Sequence, residues 1–103
     1  MADSLEFSTH ALQRMQQRGL TEHDVCYVLR HGRRFHVADA LVTFLGDKDV
    51  PGEDERTHGR LRGTAVIVSR VQPLVITVWR NRQGGLRHIK RKPAAGWRMW
   101  AGA

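Results

Sequence analysis

Two consecutive stretches, TAVIVSRV (residues 64–71) and LVITVWRN (residues 74–81), place the strongest limit on what this chain can fold into. Both are rich in β-branched residues, which favour extended strands, and only a short link containing Pro73 separates them. They are therefore expected to pair antiparallel. Strict alternation divides the apolar residues of the second stretch between two faces of a sheet, with Leu74, Ile76 and Val78 on one and Val75, Thr77 and Trp79 on the other. Both faces are expected to be partly covered.

The stretch STHALQRMQQRGLTEHDV (residues 8–25) predicts the first of two short helices and the start of the second. Ser8 or Thr9 can cap the first helix, and Gly19 is well placed to end it. Thr21 and Asp24 have the spacing of a capping box, with Asp in place of the usual Glu or Gln. Gly32 is the expected end of the second helix.

The remaining segments complete an α+β pattern. FHVADALVTFL (residues 35–45) predicts a hairpin or one bent strand, GDKDVPGEDERTHGR (46–60) an exposed loop, and LRHIKRK (86–92) a basic edge strand. We expect two N-terminal helices packed on a mostly antiparallel sheet of four to five strands. Residues 1–93 should form a single domain, and 94–103 a tail whose Trp97 and Trp100 either dock on the domain or remain for a partner.

Composition limits the function classes. Apolar residues make up 41% and charged residues 26%, which excludes a wholly disordered chain. Seventeen Lys and Arg against ten Asp and Glu give a net charge of +7, mostly from arginine, which favours a polyanionic partner such as RNA. The single cysteine, Cys26, is typical of a reducing compartment, and no membrane span or signal peptide is recognisable. A cytoplasmic protein is expected.

Several common chemistries lack their motifs in this sequence. There is no phosphate-binding glycine loop, no dinucleotide fingerprint and no GxSxG elbow. Six histidines are present, but none has the spacing of a metal site. We therefore expect neither a metal nor a cofactor.

The polar side of the first helix is the best candidate site. His10, Arg14 and Arg18 lie within about 80° of one another on a helical projection. Metal-independent RNA cleavage requires a base for the 2′-hydroxyl, an acid for the leaving oxygen and cations around the phosphate, and these residue types can supply them. Further groups could come from elsewhere in the chain: Arg80, His88, Lys90, and Arg60 or Arg62. The alternative is an ordinary solvated face.

The run THALQRMQQRGLTEHDVCYVLRHG, followed later by VITVWRN, resembles a small bacterial family of domains of unknown function. Its pattern is a His, an Arg four residues on, a further Arg before Gly, and a second helix ending in Gly. The resemblance covers residues 8 to 82. That family is grouped with the RelE and BrnT toxin folds, among metal-independent ribonucleases. The only tyrosine is Tyr27, so the C-terminal tyrosine of RelE-type toxins has no counterpart here.

The resemblance implies helices layered on a curved antiparallel sheet and a catalytic set. The catalytic set comprises His10, Arg14, Arg18, Arg80 and Thr77. The RNA-binding candidates are Arg60, Arg62, Arg87, His88 and Lys90. The leading hypothesis is a toxin-type endoribonuclease with an acidic antitoxin or immunity protein as partner. The alternatives are a non-catalytic basic RNA-binding module and a protein-interaction module that uses Trp97 and Trp100.

Overall fold

A computed structural model describes residues 5–80 and contains the two predicted helices, α1 (Thr9–Arg18) and α2 (Glu22–His31). Ser8 caps α1, and the reciprocal bonds of the Thr21–Asp24 capping box are both present on α2. Gly19 ends α1 with φ of 67°, a left-handed conformation that glycine adopts without steric cost. The predicted helix boundaries are thus confirmed.

The segment after α2 is a hairpin rather than a bent strand. Strands β2 (Arg33–Val37) and β3 (Ala40–Phe44) pair antiparallel, with Arg33 opposite Phe44. The two-residue turn contains Ala38 at φ of 54°, an uncommon conformation for a residue with a side chain.

The polar loop that follows β3 is more ordered than its composition predicts. It contains a 3-10 turn (Gly52–Asp54), the short helix α3 (Glu55–His58) and a second 3-10 turn (Gly59–Leu61). Val50 and Leu61 are buried in the core, with exposures of 7% and 0%. These two residues hold the loop against the domain.

Strands β4 (Thr64–Ser69) and β5 (Leu74–Arg80) form the predicted antiparallel pair. A two-residue strand, β1 (Glu6–Phe7), which the sequence did not predict, pairs with β5 in parallel. In the described part of the chain, five strands form one sheet in the order β1-β5-β4-β3-β2. The α+β class, with helices beside a mostly antiparallel sheet, is confirmed. The predicted strand at 86–92 and the tail at 94–103 lie outside the described residues.

The prediction of strict alternation along β5 was wrong. Val75 lies opposite Val68, whereas Thr77 lies opposite Ile67, so Ile76 is an additional residue in the pairing. Such a bulge shifts the following side chains to the other face. Val75 and Val78 consequently share one face of the sheet, and Ile76 and Trp79 share the other.

The sheet separates two apolar clusters. The first-face cluster lies between the helices and the sheet, and its buried members are Ala11, Met15, Leu20, Val25, Tyr27, Val28, Leu45, Val50, Leu61, Val66, Val75 and Val78. The second-face cluster comprises Ala40, Val42, Phe44, Ala65, Ile67, Ile76 and Trp79, each at most 9% exposed. Both faces are therefore covered, as the apolar content of β5 predicts.

Candidate functional site

Helix α1 is fixed to β5 at the bulge. The Ser8 backbone N–H donates to the Val75 carbonyl at 2.9 Å. The Ser8 hydroxyl donates to the Ile76 carbonyl at 2.7 Å and accepts from the Ala11 N–H at 3.0 Å. Because Ser8 is also the N-cap, the same side chain starts the helix and sets its position on the sheet.

His10 lies half-buried in the first turn of α1, two residues after that anchor. Burial lowers the pKa of His10 from its ordinary value of 6.5, and the charge of Arg14, one turn further along, lowers it further. The ring is therefore neutral at pH 7. A neutral imidazole can accept a proton, which is the role of a general base.

The arginines of α1 have no acidic neighbour on their own helix, because THALQRMQQR contains no Asp or Glu. Arg14 is half-buried and donates to the Gln17 side-chain oxygen at 3.4 Å. Arg18 is exposed in the last turn, where a cation also stabilises the helix dipole. We call His10, Arg14 and Arg18 the α1 surface.

Thr77 does not lie on the α1 surface. It is fully buried and pairs with Ile67, a member of the second-face cluster, whereas Ala11 and Met15 of α1 belong to the first-face cluster. Cross-strand partners in a sheet point to the same face. The sheet therefore separates the side chain of Thr77 from α1, because the bulge reverses its predicted direction.

Arg80 ends β5 opposite Thr64 and is half-buried. Its guanidinium donates to the backbone carbonyl of Arg60, in the 3-10 turn that follows α3. This bond orients Arg80 toward the loop region.

Arg60 and Arg62 are held by acidic partners. Arg60 donates to the Asp24 carboxylate at 2.9 Å, and Arg62 makes two bonds of 2.6 Å to the carboxylate of Glu55. Burial raises the pKa of Asp24, but hydrogen bonds from Thr21 and Arg60 outweigh that effect and leave it below its usual value. The hydrogen bonds from Arg62 likewise lower the pKa of Glu55. Both arginines thus serve the loop's attachment.

The other predicted contacts, Arg87, His88 and Lys90, lie outside the described residues, as do Trp97 and Trp100. Their predicted roles stay predictions.

The structure brings together a group of aromatic rings whose contacts the sequence does not predict. Tyr27 stacks on His58 of α3 with ring centroids 3.9 Å apart and planes 3° from parallel, and on His31 with centroids 4.2 Å apart. We call His31, Tyr27 and His58 the ring stack. Residues 23, 27 and 31 of α2 are a histidine, a tyrosine and a histidine at intervals of four, which places them on one side of a helix. That spacing was the available signal.

The Tyr27 hydroxyl donates to the Asp54 carboxylate at 2.8 Å. Burial, together with this bond to an acid, raises the pKa of Tyr27 to about 12. The phenol therefore stays protonated and keeps its bond to the loop at any physiological pH.

Within residues 5–80, no group of three His, Cys, Asp or Glu side chains is arranged to hold a metal ion. No helix in that range combines the length and apolar character needed to cross a membrane.

Comparison with known proteins adds one finding. No curated protein and no solved structure matches the chain. A family described as Domain of unknown function (DUF4258) matches residues 7–80, from β1 to the end of β5. That match includes the α1 surface, the ring stack and all of the described sheet except Glu6, and it covers well over half of the sequence. The chain therefore belongs to the DUF4258 family.

Proposed function

We propose that this protein is a metal-independent endoribonuclease of bacterial toxin type that acts on RNA at the α1 surface, in the cytoplasm. The observation that carries the proposal is the half-buried His10, whose pKa is lowered by burial and by Arg14. A base that is neutral at pH 7 and adjacent to fixed positive charge has the properties needed to activate a 2′-hydroxyl beside a phosphate.

In the proposed reaction, His10 takes the proton of the 2′-hydroxyl, and the 2′-oxygen attacks the adjacent phosphorus. The bond from phosphorus to the 5′-oxygen breaks, and that oxygen takes a proton from a water molecule and leaves as a hydroxyl; the proton held by His10 then neutralises the hydroxide. Arg14 and Arg18 hold the phosphate and stabilise its added negative charge. The products carry a 2′,3′-cyclic phosphate and a 5′-hydroxyl.

Within residues 5–80, the contribution of the sheet is smaller than the sequence predicts. Arg80 stays a predicted phosphate ligand, although its guanidinium donates to the Arg60 carbonyl. Thr77 is fully buried on the other face, so the proposal gives it no contact with substrate.

The test compares wild-type protein with His10→Ala on labelled total RNA in the presence of a chelator, with fragment ends identified. His36→Ala is the matched control, because His36 is exposed on β2. We expect fragments with cyclic phosphate ends from wild type and the control but not from His10→Ala. Full activity in His10→Ala would remove His10 from the mechanism.

A second candidate is a non-catalytic RNA-binding module. The observation in its favour is that Arg60, Arg62 and Thr77 are all engaged or buried away from α1, so fewer groups converge on His10 than predicted. Binding that weakens steeply with salt, without cleavage on RNA or on ribosome-bound RNA, would select this function.

A toxin of this kind requires a neutralising partner. We expect an acidic antitoxin or immunity protein that covers the α1 surface, where the lack of acidic side chains on the helix favours negative charge.

A further inference from the structure

His58 is held in one orientation by its neighbours. Its ring lies on Tyr27 at 3.9 Å and within 3° of parallel, and Tyr27 is itself fixed by its bond to Asp54. A surface histidine would ordinarily sample several rotamers. Stacking fixes the ring of His58, but the edge of the ring is not covered, because His58 is only half-buried.

The hydrogen bonds of Thr57 indicate which ring nitrogen is available. The Thr57 hydroxyl donates to the Asp54 carbonyl at 3.3 Å, and its oxygen lies 2.8 Å from Nδ1 of His58. A hydroxyl has a single proton, so in this arrangement the oxygen accepts from the Nδ1–H. When the ring is protonated both nitrogens carry a hydrogen: Nδ1 donates to Thr57, and the Nε2–H is left to meet an oxyanion.

A second histidine lies beside it. The rings of His23 and His58 have centroids 6.0 Å apart and planes tilted by 38°, and His23 is exposed in the first turn of α2. A phosphate group presents several acceptor oxygens, so one such group can contact two imidazole rings that lie this close together. Arg60 follows His58 by two residues and its guanidinium binds Asp24, the residue after His23. That guanidinium side chain is 53% exposed.

We propose that His23 and His58, with Arg60 beside them, form a second site that binds a phosphate group. Three acidic side chains of this region already have partners: Asp54 with Tyr27, Asp24 with Arg60, and Glu55 with Arg62. The two imidazoles are left with no carboxylate among these bonds, and an incoming anion supplies the missing negative charge. The site does not include the α1 surface and does not rest on the proposed function.

The test uses the full chain with isotope-labelled histidine rings at about pH 6, because an imidazole nitrogen donates to an oxyanion only when it carries a proton. Inorganic phosphate is the first probe, and the ring signals of His23 and His58 should shift saturably. Uridine monophosphate and the dinucleotide UpU follow as second and third probes. Tighter binding of the monophosphate would identify a terminal phosphate as the ligand, and tighter binding of UpU an internal phosphodiester.

Two matched variants separate binding from packing. His58→Phe keeps a ring on Tyr27 but removes both nitrogens, and His31→Phe makes the same change at the other histidine of the ring stack. We expect phosphate affinity to fall about tenfold in His58→Phe, as for loss of a charge-assisted hydrogen bond, and to be unchanged in His31→Phe. His23→Ala, at an exposed position, should weaken binding similarly without loss of folding.

The proposal fails if phosphate produces no saturable shift, or if His31→Phe weakens binding as much as His58→Phe does. Either result would assign the histidines to attachment of the loop alone. His10→Ala should bind phosphate here like wild type, so the outcome is independent of whether the α1 surface cleaves RNA.

Discussion

The α1 surface and the loop that packs on α2 are both rich in arginine, yet the two regions use their charges differently. In α1, Arg14 bonds only an uncharged glutamine among the described contacts, and the helix contains no acid. In the loop region, Arg60 and Arg62 each bind a carboxylate. The comparison teaches that the positions of the few acidic residues, rather than those of the many arginines, decide which cations can meet a phosphate.

The largest expected effect, a loss of stability, comes from removing the carboxylate that holds the loop region. Asp24→Ala deletes one half of the capping box and the partner of Arg60, and should lower the free energy of unfolding by about 3 kcal/mol. Urea denaturation measures this. Glu22→Ala, an exposed acid in the same helical turn, is the control and should change little.

The same carboxylate predicts a pH dependence. The pKa of Asp24 is lower in the folded protein than in the unfolded chain, so its contribution is complete above the ordinary value of 3.8 and is lost as pH falls below it. Asp24→Ala should therefore show a flatter loss of stability in acid than wild type. Parallel pH profiles for the two proteins would contradict this assignment.

The next effect is on RNA affinity. Arg14→Gln with Arg18→Gln should weaken binding about tenfold or more and reduce the salt slope by about 1.4, the value for two phosphate contacts on a single strand. Arg60→Gln with Arg62→Gln removes the same charge from the loop region and should weaken RNA binding less. Titrations at several salt concentrations compare the two; equal losses would abolish the distinction between the regions.

A smaller effect should increase RNA affinity rather than decrease it. Glu55→Gln removes the carboxylate that neutralises Arg62 through two 2.6 Å bonds, while the bond from Arg62 Nε to the Asp47 carbonyl stays. The charge of Arg62, no longer neutralised by Glu55, should raise RNA affinity about threefold with little change in thermal stability. Arg62→Gln on the same background should cancel the gain. If Glu55→Gln binds RNA like wild type, the acids of the loop do not limit binding.

The smallest effect concerns His10. Burial and Arg14 both lower its pKa, so Arg14→Gln should raise the pKa while burial still keeps it below its ordinary value of 6.5. Histidine ring signals followed by NMR report this value directly. Because the base acts when neutral, the acid limb of cleavage should lie below pH 6.5 in wild type and move to higher pH in the variant.

Local sequence signals predicted most of the fold. Ser8, Gly19 and the Thr21–Asp24 box act within a few residues, so the helix ends could be read directly. Strand β1 could not, since its two residues are extended only because they pair with β5. The bulge at Ile76 also involves a tertiary contact, the hydrogen bond from Ser8. The bulge places Thr77 on the face of the sheet opposite to the predicted site.

The candidate site was predicted less completely for a related reason. The grouping of His10 with Arg14 follows from one helix, and the structure confirms that they are close enough for Arg14 to lower the pKa of His10. Pairing of Arg60 with Asp24 joins residues 36 apart, and His58 meets Tyr27 only after the loop folds back on α2. Helical spacing carries no information about such partners.

The anchor of α1 also has a consequence for the order of events during synthesis. Ser8 is bound by residues of β5, and its partner Ile76 is translated 68 residues later. Contacts this distant in sequence form slowly and need nearly the whole domain to be available. For most of its time on the ribosome, the nascent chain therefore has His10 on an unsupported helix. The surface that carries the proposed activity matures only when β5 has emerged.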